Sequence, residues 1–391
     1  MDKRTFRSAL ALVGILLLSI GLALQVQWVW RMWRSGGWAW FLAVLLSVLS
    51  ADAQPIHRLP ASSSAASLEA RWESVAVERG AYWVGYSVSM LMPARSFVGS
   101  YSFGPRSGIP SLAVELYGRE IEPAPDGRWY DRDPTLIVKE LAVLVHRPAP
   151  GAAPDGVGVS SIALPFARTG DPLYWLGPAQ AEESVALLRG LFGETQSVSV
   201  REDALRAVAL HRDTPPAYTF LAGVLEGRHP DALREEAAFW LSRQSDERAF
   251  TLLENTARTA RSPSVREKAV DGLGQIERAE ATEVLIDLAR NERVKDVREN
   301  AIFWLGQRAS ERVTGVLRSL TESDDIEVQK QAVHAIAQLP EARGVPLLID
   351  IARTHPYVET RKQAIYLLSN AEDARALETI IELAGGQPVN E

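Results

Sequence analysis

The chain contains no cysteine. That removes disulfides, thiolate nucleophiles and cysteine-ligated zinc or iron–sulfur sites in one step. Histidine is scarce as well. The six are His57, His146, His211, His229, His334 and His355, and no two stand at metal-ligand spacing. There is no His-Glu-x-x-His, no Gly-x-Ser-x-Gly and no glycine loop able to cradle a phosphate. Positive charge is outnumbered, with 42 Lys and Arg against 49 Asp and Glu, a formal net charge of −7. A general nucleic-acid binder needs clustered basic residues to neutralise phosphates, so that class is excluded. No catalytic residue, metal site or cofactor follows from the sequence, and the chain reads as a non-enzyme.

Long apolar runs are missing too. The two longest, residues 9–24 and 38–48, fall short of the roughly 20 residues that span a bilayer. Each follows basic residues, first Lys3, Arg4 and Arg7, then Arg31 and Arg34. The second run leads to Ala51-Asp52-Ala53 before Gln54, the small-x-small pattern that signal peptidase reads. Residues 1–53 are therefore expected to be an apolar leader. Translation from Met32 with cleavage after Ala53 is one reading. The other is a retained anchor that tethers the chain to the inner membrane through residues 9–24 or 38–50. Both place the protein in the periplasm or cell envelope and limit membrane contact to the leader.

What is present divides into three parts. Residues 54–71, rich in Ser and Ala, read as a linker. Residues 72–178 read as a small antiparallel β-domain. There Tyr82, Val84, Tyr86 and Val88 recur at every second residue, a period of two. Further strands are expected at 97–103, 112–117, 136–146 and 157–166, separated by Pro and Gly clusters. Tyr117, Trp129, Tyr130, Tyr174 and Trp175 are expected in its core or at its junction with the next domain. Asp131-Arg132-Asp133 reads as a surface turn.

Residues 179–386 repeat. Leu233-Arg234-x-x-Ala237, Val265-Arg266-x-x-Ala269, Val297-Arg298-x-x-Ala301, Val328-Gln329-x-x-Ala332 and Thr360-Arg361-x-x-Ala364 step by 32, 32, 31 and 32 residues. Val200-Arg201 opens a sixth, degenerate copy, and a capping helix is expected from Ala181. A period of this length means stacked helix pairs, an all-α solenoid or αα-superhelix in which no unit buries its apolar face alone. Within a unit Val297, Ala301, Ile302 and Leu305 form one buried stripe, and Val313, Val316, Leu317 and Leu320 form the second. Glu322-Ser323-Asp324-Asp325 lacks the alternating ligands and central glycine of a calcium loop, and reads as a turn with an Asp helix cap.

The V-R-x-x-A-x-x-x-L-G pattern resembles short bacterial HEAT repeats, also called phycobilisome-lyase HEAT-like repeats, over roughly residues 200–384. The full layout resembles exported bacterial HEAT-repeat proteins. The resemblance implies that Arg234, Arg266, Arg298 and Arg361 pack between units and bond to backbone or acidic groups. Gln329 departs from it, so looser packing is expected there. It also implies that the first helix of each unit lines the inner, concave face, and that bilin-lyase activity is a rival role.

One repeat position bears on binding. Two residues after each small Ala stand Phe239, Asp271, Phe303, His334 and Tyr366. They should point away from the core, flanked by Glu235, Glu267, Glu299, Lys330 and Lys362 one turn earlier. The rings either anchor a partner protein or pack against neighbouring helices. The first reading makes the chain a non-catalytic protein-binding scaffold or adaptor. Its contacts are Phe239, Phe303, His334 and Tyr366, with Lys330 and Lys362 steering an acidic partner segment.

Overall fold

The computed structural model describes residues 56–60, 66–75, 80–93, 98, 111–119, 136–164, 171–212, 214–244, 246–308 and 310–385. The expected leader, the strand at 97–103 save Val98, Trp129, Tyr130 and the turn at 131–133 lie outside the described residues. Among the described residues no helix is long and apolar enough to cross a membrane.

A five-stranded sheet comes first, in the order β1-β5-β2-β3-β4. The strands are β1 (Ile56–Arg58), β2 (Tyr82–Pro93), β3 (Leu136–Arg147), β4 (Gly156–Ser161) and β5 (Leu173–Pro178). β2, β3 and β4 pair antiparallel, as expected. β5 joins β2 in parallel and β1 joins β5 in parallel, so the sheet is mixed and not wholly antiparallel. Leu173-Tyr-Trp-Leu gives no alternation because β5 is a central strand covered on both faces, and such strands read as continuous apolar runs. Gly85 makes that coverage possible: a Cβ there would lie 2.9 Å from the Trp175 ring.

Two further expectations need correction. Leu112–Tyr117 is a helix, α2, and not a strand. Ser111 caps it by accepting from the Val114 amide, and Gly118 closes it at φ +67°. Its buried residues Leu112, Ala113 and Leu116 follow helical spacing, and they cover the sheet face formed by Ala142, Leu144 and Trp175. The span 54–71 is also more than a linker. It supplies β1 and the start of α1 (Leu68–Val75), whose Leu68 is fully buried.

The other sheet face carries Tyr82, Val84, Tyr86 and Val88, the period-two residues, all buried. They pack against Val185, Leu188 and Leu191 of α3 (Ala181–Glu194) and Val200 and Val208 of α4 (Val198–Ala209). One core therefore runs from the sheet into the first helices of the array.

The array continues as α5 (Pro215–Glu226), α6 (Asp231–Leu241), α7 (Glu247–Thr259), α8 (Pro263–Gln275), α9 (Ala279–Asn291), α10 (Lys295–Gly306), α11 (Glu311–Leu320), α12 (Ile326–Gln338), α13 (Glu341–Thr354), α14 (Val358–Leu368) and α15 (Ala374–Leu383). Each V-R-x-x-A motif opens the first helix of a pair. Ala237, Ala269, Ala301, Ala332 and Ala364 are all fully buried. A Cβ on Gly274 would collide with the Trp304 ring, and one on Gly306 would lie 2.8 Å from the Ala335 carbonyl oxygen. These glycines serve close approach between first helices. First helices of successive units pack more closely than second helices do.

Candidate functional site: the first-helix face

The recurring arginine holds the units in register. Arg201 Nε donates to the Phe192 carbonyl at 3.1 Å, Arg234 Nε to Leu225 at 3.0 Å and Arg266 Nε to Ala257 at 2.8 Å. Arg298 Nη1 reaches the Glu292 carbonyl at 3.3 Å, and Arg361 Nη1 the His355 carbonyl at 2.6 Å. Each acceptor lies in the last turn or C-cap of the preceding helix, where carbonyls have no intrahelical partner. Arg266 and Arg298 also pair with acidic groups, Glu292 and Asp325. Asp325 caps α12 by accepting from the Glu327 amide at 3.0 Å.

Gln329 performs the same task, contrary to the expected looseness. It is buried, its Nε2 donates to the Ser323 carbonyl at 2.6 Å, and its Oε1 accepts from the Thr360 hydroxyl at 2.7 Å. The repeat does not single out Arg308, yet it is a second staple. Its guanidinium donates to the carbonyls of Leu273, Gly274 and Ile276 at 3.0, 3.2 and 2.8 Å, stitching the end of α10 to the end of α8. Burial holds its pKa below the usual arginine value.

With the register fixed, the ring position can be located. Phe303 is 49% exposed, Tyr366 is 66% exposed, and His334 is exposed. Phe239 differs: it is half-buried, packs on the core, and lies under the Arg243 guanidinium at 3.7 Å. Asp271 is fixed by the Trp304 Nε1 at 3.0 Å, Asn300 Nδ2 at 2.9 Å and Lys268 at 3.0 Å. The neighbouring Trp240 is buried, and Trp304 lies over Gly274, so these two rings are structural.

The charges are arranged differently from the expectation. Lys330 pairs with Glu327 at 2.9 Å and Lys362 with Glu359 at 2.9 Å, each within its own helix. Both lysines are locally neutralised, which weakens their reach toward an acidic segment. Glu235 and Glu267 make no ion pair among the described residues. The Glu267 pKa is raised, first by burial and then by the nearby carboxylates of Asp271, Asp296 and Glu235.

Catalytic constellations among the described residues are poor. Ser184 Oγ lies 2.8 Å from His211 Nε2 and 2.9 Å from the Tyr86 hydroxyl, which resembles an activated serine. All three are buried between sheet and array, so no substrate reaches them. Burial lowers the His211 pKa to about 4, which keeps the ring neutral. A cleft of about 330 Å³ opens between α11 and α13, but its His355 Nε2 is occupied by the Thr321 carbonyl at 2.7 Å. No group of three acidic or histidine ligands able to hold a metal occurs among the described residues.

A family model of HEAT repeats matches residues 224–302 and again 294–369. No curated protein matches the sequence. The CpcE–CpcF complex of phycocyanin lyase from Nostoc sp. PCC7120 is 21% identical, over 52% of this chain and 87% of that one, with a TM-score of 0.32. Human deoxyhypusine hydroxylase in complex with glycerol is 16% identical, over 53% and 91%, with a TM-score of 0.28. Computationally designed armadillo repeat proteins for modular peptide recognition are 19% identical, over 48% and 98%, also with a TM-score of 0.28. The 31- to 32-residue period, the paired helices and the family match agree: residues 224–369 are HEAT repeats, within a helical solenoid that follows a small sheet.

Proposed function

We propose that the protein is a non-catalytic scaffold or adaptor that binds a protein partner on its first-helix face. Repeat solenoids of this kind commonly present extended surfaces to other proteins. The observation that carries the reading is the exposure of Phe303 and Tyr366 beside fully buried Ala301 and Ala364. The repeat turns every other apolar side chain of α10 inward or against a neighbouring helix, and it turns these rings to solvent. Exposed aromatics in a row on a rigid surface suit the anchor role. The setting is the cell envelope, a proposal supported by the basic, apolar and Ala-x-Ala order of residues 31–53.

The test is an affinity capture from envelope extract with the full chain, run beside a Phe303→Ser/Tyr366→Ser variant of unchanged helicity. A partner held by the parent and lost by the variant is the expected result. The same captured set from both would remove the rings from the argument. Nothing captured by either would favour a structural, membrane-tethered role.

A further inference from the structure

The repeat places Glu202, Glu235, Glu267 and Glu299 at one equivalent position of α4, α6, α8 and α10. The same position then changes sign at Lys330 and Lys362. The change of sign does not produce a basic end, because both lysines are matched by Glu327 and Glu359. The acidic end has no such match. Among the described residues Glu202, Glu235, Glu267 and Asp296 form no ion pair, and Glu299 has only Lys295 at 3.7 Å. The other nearby cations are already engaged: Lys268 by Asp271 at 3.0 Å, and Arg206 by Asp203 at 2.9 Å and Glu236 at 3.5 Å. The face therefore carries a column of carboxylates, Glu202, Glu235 and Glu267 without an ion pair and Glu299 with one long pair, that ends at the exposed rings.

We propose, resting on the partner-binding reading above, that the occupant of this face is an extended protein segment with Lys or Arg at about every third residue. It lies across Glu202, Glu235, Glu267 and Glu299 and runs on into an apolar stretch that meets Phe303 and Tyr366. The spacing follows from geometry. Packed helices lie about 9 Å apart, and an extended chain advances about 3.3 Å per residue. One basic residue in three therefore meets one glutamate per helix. Like charges held in a column oppose folding, and a cationic strand reverses that contribution. The Glu267 pKa is raised first by burial, and the carboxylates of Asp271, Asp296 and Glu235 add to that shift. Complementary charge sets direction and encounter rate, and the rings supply the anchors.

The experiment measures binding of the full chain to two labelled synthetic peptides by fluorescence anisotropy. One repeats Lys-Ala-Ala and ends in Leu-Phe-Leu; the other has Glu in place of every Lys. The Lys peptide is expected to bind, more weakly as salt rises, and the Glu peptide about a hundredfold less tightly. A Glu235→Gln/Glu267→Gln variant keeps side-chain shape, and should lose about tenfold in affinity for the Lys peptide with an unfolding midpoint no lower than the parent's. Unchanged affinity in that variant overturns the proposal, as does equal binding of the two peptides or binding of neither. Tighter binding of the Glu peptide, lost in Phe303→Ser/Tyr366→Ser, overturns the cationic partner and leaves the binding face standing. The capture experiment above tests that broader reading independently.

Discussion

The Thr360 hydroxyl donates to Gln329 across the boundary between two repeats, and Gln329 in turn donates to the Ser323 carbonyl at the end of the previous turn. One buried amide thus joins three segments of chain. Gln329→Ala would strand a buried hydroxyl and a carbonyl together. The expected cost is about 1–3 kcal/mol, the desolvation of unmade buried hydrogen bonds, read as a lower urea midpoint with the slope unchanged. No change in midpoint would mean that water reaches both groups.

Two glycines should respond to the same substitution with opposite sign. Gly315 lies within α11 with nothing within 4 Å of a built Cβ. Gly315→Ala should stabilise by about 0.5–1 kcal/mol through helix propensity and reduced unfolded-state freedom. Gly306→Ala places its methyl 2.8 Å from the Ala335 carbonyl oxygen, backbone that cannot rotate away. Overpacking there should cost about 1–3 kcal/mol. Thermal unfolding of the two variants beside the parent decides it, and shifts of the same sign would contradict the close helix approach.

The solenoid is legible in the sequence because its constraint is periodic. Ala301 and its equivalents must be small in every unit, so the signal appears five times. The sheet offers each strand one chance. β2 is readable from the alternation of Tyr82, Val84, Tyr86 and Val88, since one face meets the array. β5 is not, because Tyr174 and Trp175 face covered sides alike. Leu112–Tyr117 reads as a strand because so short a segment shows too little of either period, and the decisive signals, Ser111 and Gly118, are caps. The candidate face is legible in position, as Phe303 and Tyr366 point outward. Its charge is legible only when each lysine is read together with the glutamate three residues before it, since Glu327–Lys330 and Glu359–Lys362 are neighbours on one helix.

Adjacent aromatic residues on α10 separate binding from stability. Phe303 is half-exposed, whereas Trp304 covers Gly274 and donates to Asp271 at 3.0 Å. Phe303→Ser should alter stability by no more than about 0.5 kcal/mol and abolish partner capture. Trp304→Ala opens a void between α8 and α10 and removes one of the three donors to the Asp271 carboxylate, at about 2–4 kcal/mol. Chemical denaturation of both variants checks this. A large loss from Phe303→Ser would make that ring part of the packing and remove it as a contact.

Acid should loosen the seam between sheet and array through His211. The ring is buried against Ser184 and Tyr86, and burial lowers its pKa from 6.5 to about 4. The unfolded chain therefore takes up a proton near pH 6.5 that the folded chain refuses until about pH 4. Between those values the unfolded state binds more protons, so stability falls as pH falls and levels off below about pH 4. A pKa difference of that size between the folded and unfolded chains corresponds to a full effect of order 3 kcal/mol. His211→Gln keeps a polar partner for Ser184 and removes the titration. Urea unfolding at pH 7 and about pH 4.5 should show the parent losing about 2 kcal/mol more than the variant. Parallel losses would mean that the folded seam accepts the proton, and that His211 is not held neutral by its burial.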